Sequence, residues 1–196
     1  LAFTGDVFTT PALTTTTTYF VRYSGTCNTT TCAEVIVTVL PQVNYGSLVT
    51  PSVSHLVISQ VYGGGGNAGA PYLNDYIELF NPTGSNINLT GLSVQYASAA
   101  GTSWTNKTDL TGSIAPGKYY LIKQASGGAV GAALPTEDLA GTINMSATAG
   151  KVALVSSTTV ITAGTSCPTF PAFPIVDFVG YGTTANCFEG AGPTPA

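Results

Sequence analysis

Apolar and polar positions alternate along this chain in short runs, the pattern of strands that bury one face. Over residues 1–41 the runs predict three strands, at Phe3–Thr9, at Thr17–Gly25 ("TTYFVRYSG") and at Cys32–Leu40 ("CAEVIVTVL"). The intervening "TTPALTTTTT" carries turn and β-forming residues and no helical spacing. From His55 onward a longer set is predicted at Leu56–Tyr62, Asp75–Asn81, Leu92–Tyr96, Lys118–Gln124, Lys151–Ser156 and Ile175–Tyr181. Gly, Pro, Asn or Ser bounds each of them, as expected of strand ends. Between the two sets, "PQVNYGSLVTPSVS" has prolines near both ends and no clear alternation, so it reads as a connector. The predicted organisation is a partial domain over 1–41, a linker over 42–54 and a β-sandwich over 55–196.

Three loops shape that reading. Pro116 and Gly117 in "TGSIAPGKYYLIKQ" suit a tight reversal. Residues 125–149 form a long, small-residue segment, expected to be functional or packed over a sandwich edge. Four consecutive glycines, Gly63–Gly66, precede "YLNDYIELF". A phosphate cradle would place them at a helix start with a Lys and a Ser or Thr following. No lysine occurs until Lys107, and the following segment is a strand by composition. The run is instead expected to be a flexible connection, where glycine lets backbone pack closely.

Composition sharpens the fold class to all-β. Charged residues are only 7% of the chain and Lys plus Arg number five, too few to furnish the wet faces of helices, while Thr, Val, Tyr and Phe abound. Short strands separated by turn-rich loops suit an immunoglobulin-type two-sheet sandwich. The net charge of −4 leaves no basic patch for a phosphate backbone, which disfavours direct binding of nucleic acid. Apolar runs such as "AEVIVTVL" and "HLVISQVY" fall far short of the ~20 residues of a membrane helix, so no membrane insertion is expected. The sequence opens at "LAFTGDVF" without an initiator Met, and an earlier segment is expected.

Candidate chemistry is sparse. Cys27 with Cys32, and Cys167 with Cys187, are pairs each local in sequence. Two disulfides are expected rather than a zinc site, which would have to gather ligands from both ends of the chain without help from the single histidine. Disulfides in turn point to an oxidising, extracellular setting. Asp75, Glu78 and Asp177 are the weak metal candidates: a structural calcium would require all three on one edge with loop carbonyls, and no cofactor is otherwise expected. The bland alternative makes them solvated or hydrogen-bonded strand ends. His55 would have to serve any Ser/His/Asp or Cys/His apparatus, yet no GxSxG or HExxH occurs, so no catalytic residue is assigned and no enzyme is expected. Trp104 and the ten tyrosines suit either a sugar-stacking platform or a sandwich core. Glycosylation sequons occur at Asn28, Asn88, Asn106 and Asn144.

The run "LVISQVYGGGGNAGAPYLNDYIELFNPT", then "INLTGLSVQYASAAGTSW", "GSIAPGKYYLIKQ", "MSATAGKVALV" and "VDFVGYGTTANCFEG", resembles the bacterial version of the lamin-tail domain from about Leu56 to the C-terminus. The resemblance implies an immunoglobulin-like β-sandwich of secreted bacterial proteins, often beside an endonuclease/exonuclease/phosphatase domain and without an established catalytic role of its own. Separately, "FTTPALTTTTTYFVRYSGTC" and "CAEVIVTVL" look like the closing half of an immunoglobulin-like repeat of bacterial surface proteins.

Three strands cannot close the usual sandwich of about seven, so Phe20, Val35 and Val37 would lose half their covering layer. The gap is expected to be filled by a longer chain or by strands of a neighbouring molecule. The leading functional expectation is a secreted, non-catalytic building block of an extracellular or cell-surface structure, self-associating by strand complementation into a filament. The alternative is an accessory domain of a secreted endonuclease/exonuclease/phosphatase-type hydrolase.

Overall fold

The computed structural model describes residues 7, 9–10, 12–22, 29–39, 53–169 and 171–196. The chain divides into two compact units, Leu1–Thr50 and Pro51–Ala196. In the first, β1 (Thr17–Val21) pairs antiparallel with β2 (Ala33–Val37). Most of the predicted strand Phe3–Thr9 and most of the 42–54 linker lie outside the described residues.

The second unit continues with β3 (Val57–Tyr62), β4 (Tyr76–Phe80), β5 (Ile87–Asn88), β6 (Ser93–Ser98), β7 (Asn106–Asp109), β8 (Ser113–Ile114), β9 (Tyr119–Lys123), β10 (Leu139–Ala140), β11 (Gly150–Val155) and β12 (Ile175–Tyr181). They form two four-stranded sheets, in the orders β10-β9-β4-β3 and β12-β11-β6-β7, with β5 and β8 as a short separate pair. The fold is all-β, an immunoglobulin-like sandwich, and no described residue is helical. Each longer predicted strand of this unit is present within a residue or two. The polar β7 and the two-residue strands were not anticipated.

Period-two alternation builds the main core. In β4, Ile77 and Leu79 are buried between half-buried Tyr76, Glu78 and Phe80, and their partners across the ladder to β9 are Ile122 and Tyr120. These inward side chains pack in one cluster with Val94, Val152 and Leu154 of the facing sheet. At ~1.5–3 kcal/mol for each fully buried aliphatic side chain, this cluster is the main source of stability. The centre of the second sheet is covered on its other face too, since β11 is buried at every position. There Ala153 and Val155 meet Trp104, Ile161 and Phe178 in a second cluster.

The glycine run turns the chain tightly. Gly64 and Gly66 have φ of 81° and 79°, and a Cβ on Gly65 would lie 2.1 Å from the carbonyl carbon of Asn74. Gly66 N–H donates to Tyr72 O at 3.0 Å, and Gly127 N–H to Gly65 O at 2.8 Å. The close packing expected of the run is present; the flexible connection also expected there is instead a turn hydrogen-bonded on both sides. The 125–149 segment packs over the edge of the first sheet, where β10 runs parallel to β9 and Asp138 accepts from Leu121 N–H at 2.8 Å.

Candidate functional site

The three carboxylates proposed as calcium ligands have separate duties. Asp75 enters β4 fully buried, and its carboxylate accepts from the Gly65 and Met145 amides, both at 2.6 Å. Burial pushes its pKa up, and those amide bonds oppose the shift. Asp75 is thus the peg that holds the glycine turn and the 145 segment to the first sheet. Glu78, on the outer face of β4, accepts from Ser59 Oγ at 2.6 Å. Asp177 of β12 accepts from Ile58 N–H of β3 at 2.5 Å, tying together the edge strands of the two sheets. Among the described residues no three His, Cys, Asp or Glu side chains gather as a metal site.

His55 does have acidic neighbours. It lies near Asp177 and Glu189 and favours the ionised form of both, against the desolvation that pushes both carboxyls up. Asp177 is already engaged with Ile58, and Glu189 is the sole ionisable residue lining a neighbouring cavity of about 350 Å³ whose other walls include Ile175, Phe178 and the Cys167–Cys187 disulfide. That wall offers neither a hydroxyl paired with a base nor an oxyanion donor array of the kind acyl or phosphoryl transfer uses.

The most unusual ionisable group is one that sequence reasoning passed over. Lys151 in β11 is completely buried on the face shared with Ala153 and Val155. Its ammonium donates to Gly101 O at 2.8 Å, Ser166 O at 2.7 Å and Asn186 Oδ1 at 2.7 Å, and sits 5.6 Å from the centre of the Trp104 ring. Desolvation pushes its pKa down. Among the described residues no carboxylate pairs with it, so three neutral acceptors and an aromatic face carry the charge. Two of those acceptors adjoin Cys167 and Cys187, which form a disulfide with a Cα–Cα distance of 5.2 Å. The ammonium and the disulfide therefore clamp the same two loops. The only sequence hint is a lysine opening the apolar run "KVALV".

Trp104 is core, 1% exposed, with its indole N–H donating to Thr165 O at 2.8 Å, so it forms no sugar platform. Cys32 is exposed, while its expected partner Cys27 lies outside the described residues, as does Asn28. Asn88, Asn106 and Asn144 are exposed.

The second unit protects its sheet edges at β3, β7 and β12. Along β12, Gly182 N–H donates to Thr194 O and Thr194 N–H to Gly180 O, so the C-terminal segment lies against that strand. Asp177 takes an amide of β3, and Lys107 pairs with Asp109 on β7. Charged or occupied edges discourage strand addition. The first unit differs. Directly opposed residues share a face, so Phe20 and Glu34 lie with Thr18 and Ile36 on one side, and Val21 and Val35 on the other. Phe20 is 70% exposed, Ile36 58%, Val21 55% and Val35 46%. Apolar side chains thus face outward on both sides of a two-stranded pair, an arrangement marginal by itself in water.

No curated protein matches the chain. The family model of the Lamin Tail Domain matches residues 50–166, spanning β3 to β11, while β12 and the disulfide lie beyond it. With that match covering more than half of its 196 residues, the chain belongs to the lamin tail domain family.

Proposed function

We propose that this chain is a non-catalytic structural module of a secreted or cell-surface assembly, joined to its neighbours through the β1–β2 pair. The observation that carries the reading is the contrast between the two units: one has its edges at β3, β7 and β12 occupied or charged, the other presents Phe20, Val21, Val35 and Ile36 to solvent. Strands donated by a neighbouring molecule would add backbone hydrogen bonds to β1 or β2 and cover those side chains. Repeated head to tail, such a contact does not close on itself and yields a filament. The disulfide between Cys167 and Cys187 supports an oxidising location. Light scattering over a concentration series, with electron microscopy of the same samples, tests this. Oligomers or fibres are expected, and a Phe20→Ser/Ile36→Ser variant should lose them while the second unit keeps its melting temperature. A wild-type chain that stays a monodisperse monomer at high concentration sinks the proposal.

A further inference from the structure

We propose that the outer face of strands β3, β4 and β9 binds a chain of neutral sugars. Ladder register places Tyr62 opposite Tyr76 and Val57 opposite Phe80, with Tyr119 opposite Phe80 on the other side. All of these point away from the core formed by Ile77, Leu79 and Ile122.

Two aromatic clusters result. At one end Tyr62 and Tyr76 stack with centroids 5.4 Å apart, and Tyr72 meets them edge-on at 5.6 and 5.9 Å. Tyr72 reaches that place because the glycine turn folds back, with Gly66 N–H bonded to Tyr72 O and Leu73 N–H to Ala132 O. At the other end Phe80 and Tyr119 lie 4.7 Å apart. Tyr76 and Phe80 are separated by four residues of one strand, so the clusters stand about 13 Å apart. The row between them holds Gln60, whose Oε1 accepts from Tyr76 O–H at 2.9 Å, opposite Glu78, with half-buried Leu121 on the far side of Glu78. Two aromatic clusters flanking the Gln60–Glu78 pair match a sugar chain several residues long, which offers apolar ring faces to the aromatics and hydroxyls to the amide and carboxylate.

Charge selects among partners. Lys123 is paired with Glu137, so these strands offer no free cation on this face, while Glu78 accepts from Ser59 and keeps its charge. An anionic partner would be repelled by the Glu78 carboxylate, whereas a neutral polyol can donate hydroxyls to it. An extended peptide would seek a free strand edge, and the neighbouring edge of β3 has its Ile58 amide taken by Asp177. Tyr119 at 59% and Tyr72 at 37% exposure leave ring surface for stacking. The inference does not depend on assembly through β1–β2.

Affinity electrophoresis of the full chain through gels containing hydroxyethylcellulose, laminarin or mannan, with pull-down on chitin and cellulose, reads this binding. Retention by at least one of these is expected. It should weaken about tenfold, the loss of one stacking contact, in Tyr72→Ala and in Tyr119→Ala, and persist in Tyr72→Phe. Thermal melting of the same variants separates lost binding from lost folding. Failure to bind any of the five glycans, binding confined to an acidic glycan such as polygalacturonate, or binding unchanged in both folded alanine variants overturns the proposal.

Discussion

Replacing Lys151 with methionine is the most direct probe of the second unit. The substitution keeps an unbranched side chain against Trp104 but removes three donors from Gly101 O, Ser166 O and Asn186 Oδ1. Hydrogen bonds to a charged group are worth ~1.5–3 kcal/mol each, and an orphaned acceptor costs about 1–3 kcal/mol. Asn186 is exposed and its amide can turn to water, so two partly covered carbonyls bear most of the loss. Working the other way, methionine escapes the desolvation of a buried ammonium, itself several kcal/mol. The balance expected is a destabilisation of about 3 kcal/mol, or roughly 10 °C in Tm for a unit of this size. Urea unfolding is the assay, and Trp104, the one tryptophan in the chain, is the built-in fluorescent reporter. A Lys151→Met protein as stable as the wild type, or more stable, would refute the reasoning. It would mean that the buried charge is tolerated rather than used.

Three further outcomes follow from the same geometry. Gly65→Ala should destabilise by about 3 kcal/mol or more, because its Cβ would meet the backbone of Asn74 at 2.1 Å, whereas Gly84→Ala, with nothing within 4 Å, should stay within ~0.5 kcal/mol in denaturant melts. Reducing Cys167–Cys187, which closes a loop with a sequence separation of 20, should cost about 3 kcal/mol. In a double-mutant cycle with Lys151→Met the effects should be non-additive, since both hold the same loops. The pKa of Asp177 is raised from 3.8 mainly by burial, so the folded state binds the extra proton just above that value. Stability should therefore fall as pH rises through the window between about 3.8 and the raised value, then level off. Asp177→Asn, which keeps an acceptor for Ile58 N–H, should flatten that part of the curve, as urea midpoints at several pH values would register.

Where a side chain's place follows from its neighbours in sequence, the fold was legible. The alternation in "DYIELF" and "KYYLIK" gives both β4 and β9 and tells which residues face inward. β7 escaped because "NKTD" has no apolar residue: only Thr108 is buried there, hydrogen-bonded to Gln124 across the interior. Lys151 escaped for a different reason. Burying a lysine requires covering loops and three acceptors from residues 101, 166 and 186, which no local pattern encodes. The carboxylates show the limit of spacing arguments. Asp75, at the entry to β4, and Glu78 within it are three residues apart on one extended segment, so they fall on opposite faces, one a buried peg and the other on the outer surface.

Asp75, Asp177 and Lys151 each satisfy backbone or loop groups within the second unit, and Lys107 with Asp109 and Lys123 with Glu137 neutralise one another on its surface. A group already committed to several hydrogen bonds is a poor proton carrier, because moving its proton breaks the contacts that hold the turn or loop. These ionisable groups are therefore directed at rigidity. Two surfaces left for contact are the tyrosine-bearing sheet face and, in the first unit, the apolar sides of β1 and β2. Both would be recognised by shape and desolvation, so salt should leave association through either nearly unchanged, whereas contacts built on ion pairs would weaken steeply as the Debye length falls. Sedimentation and glycan retention measured at low and high ionic strength separate the two cases. A strong loss of either association at high salt would show that charges outside these two surfaces do the joining.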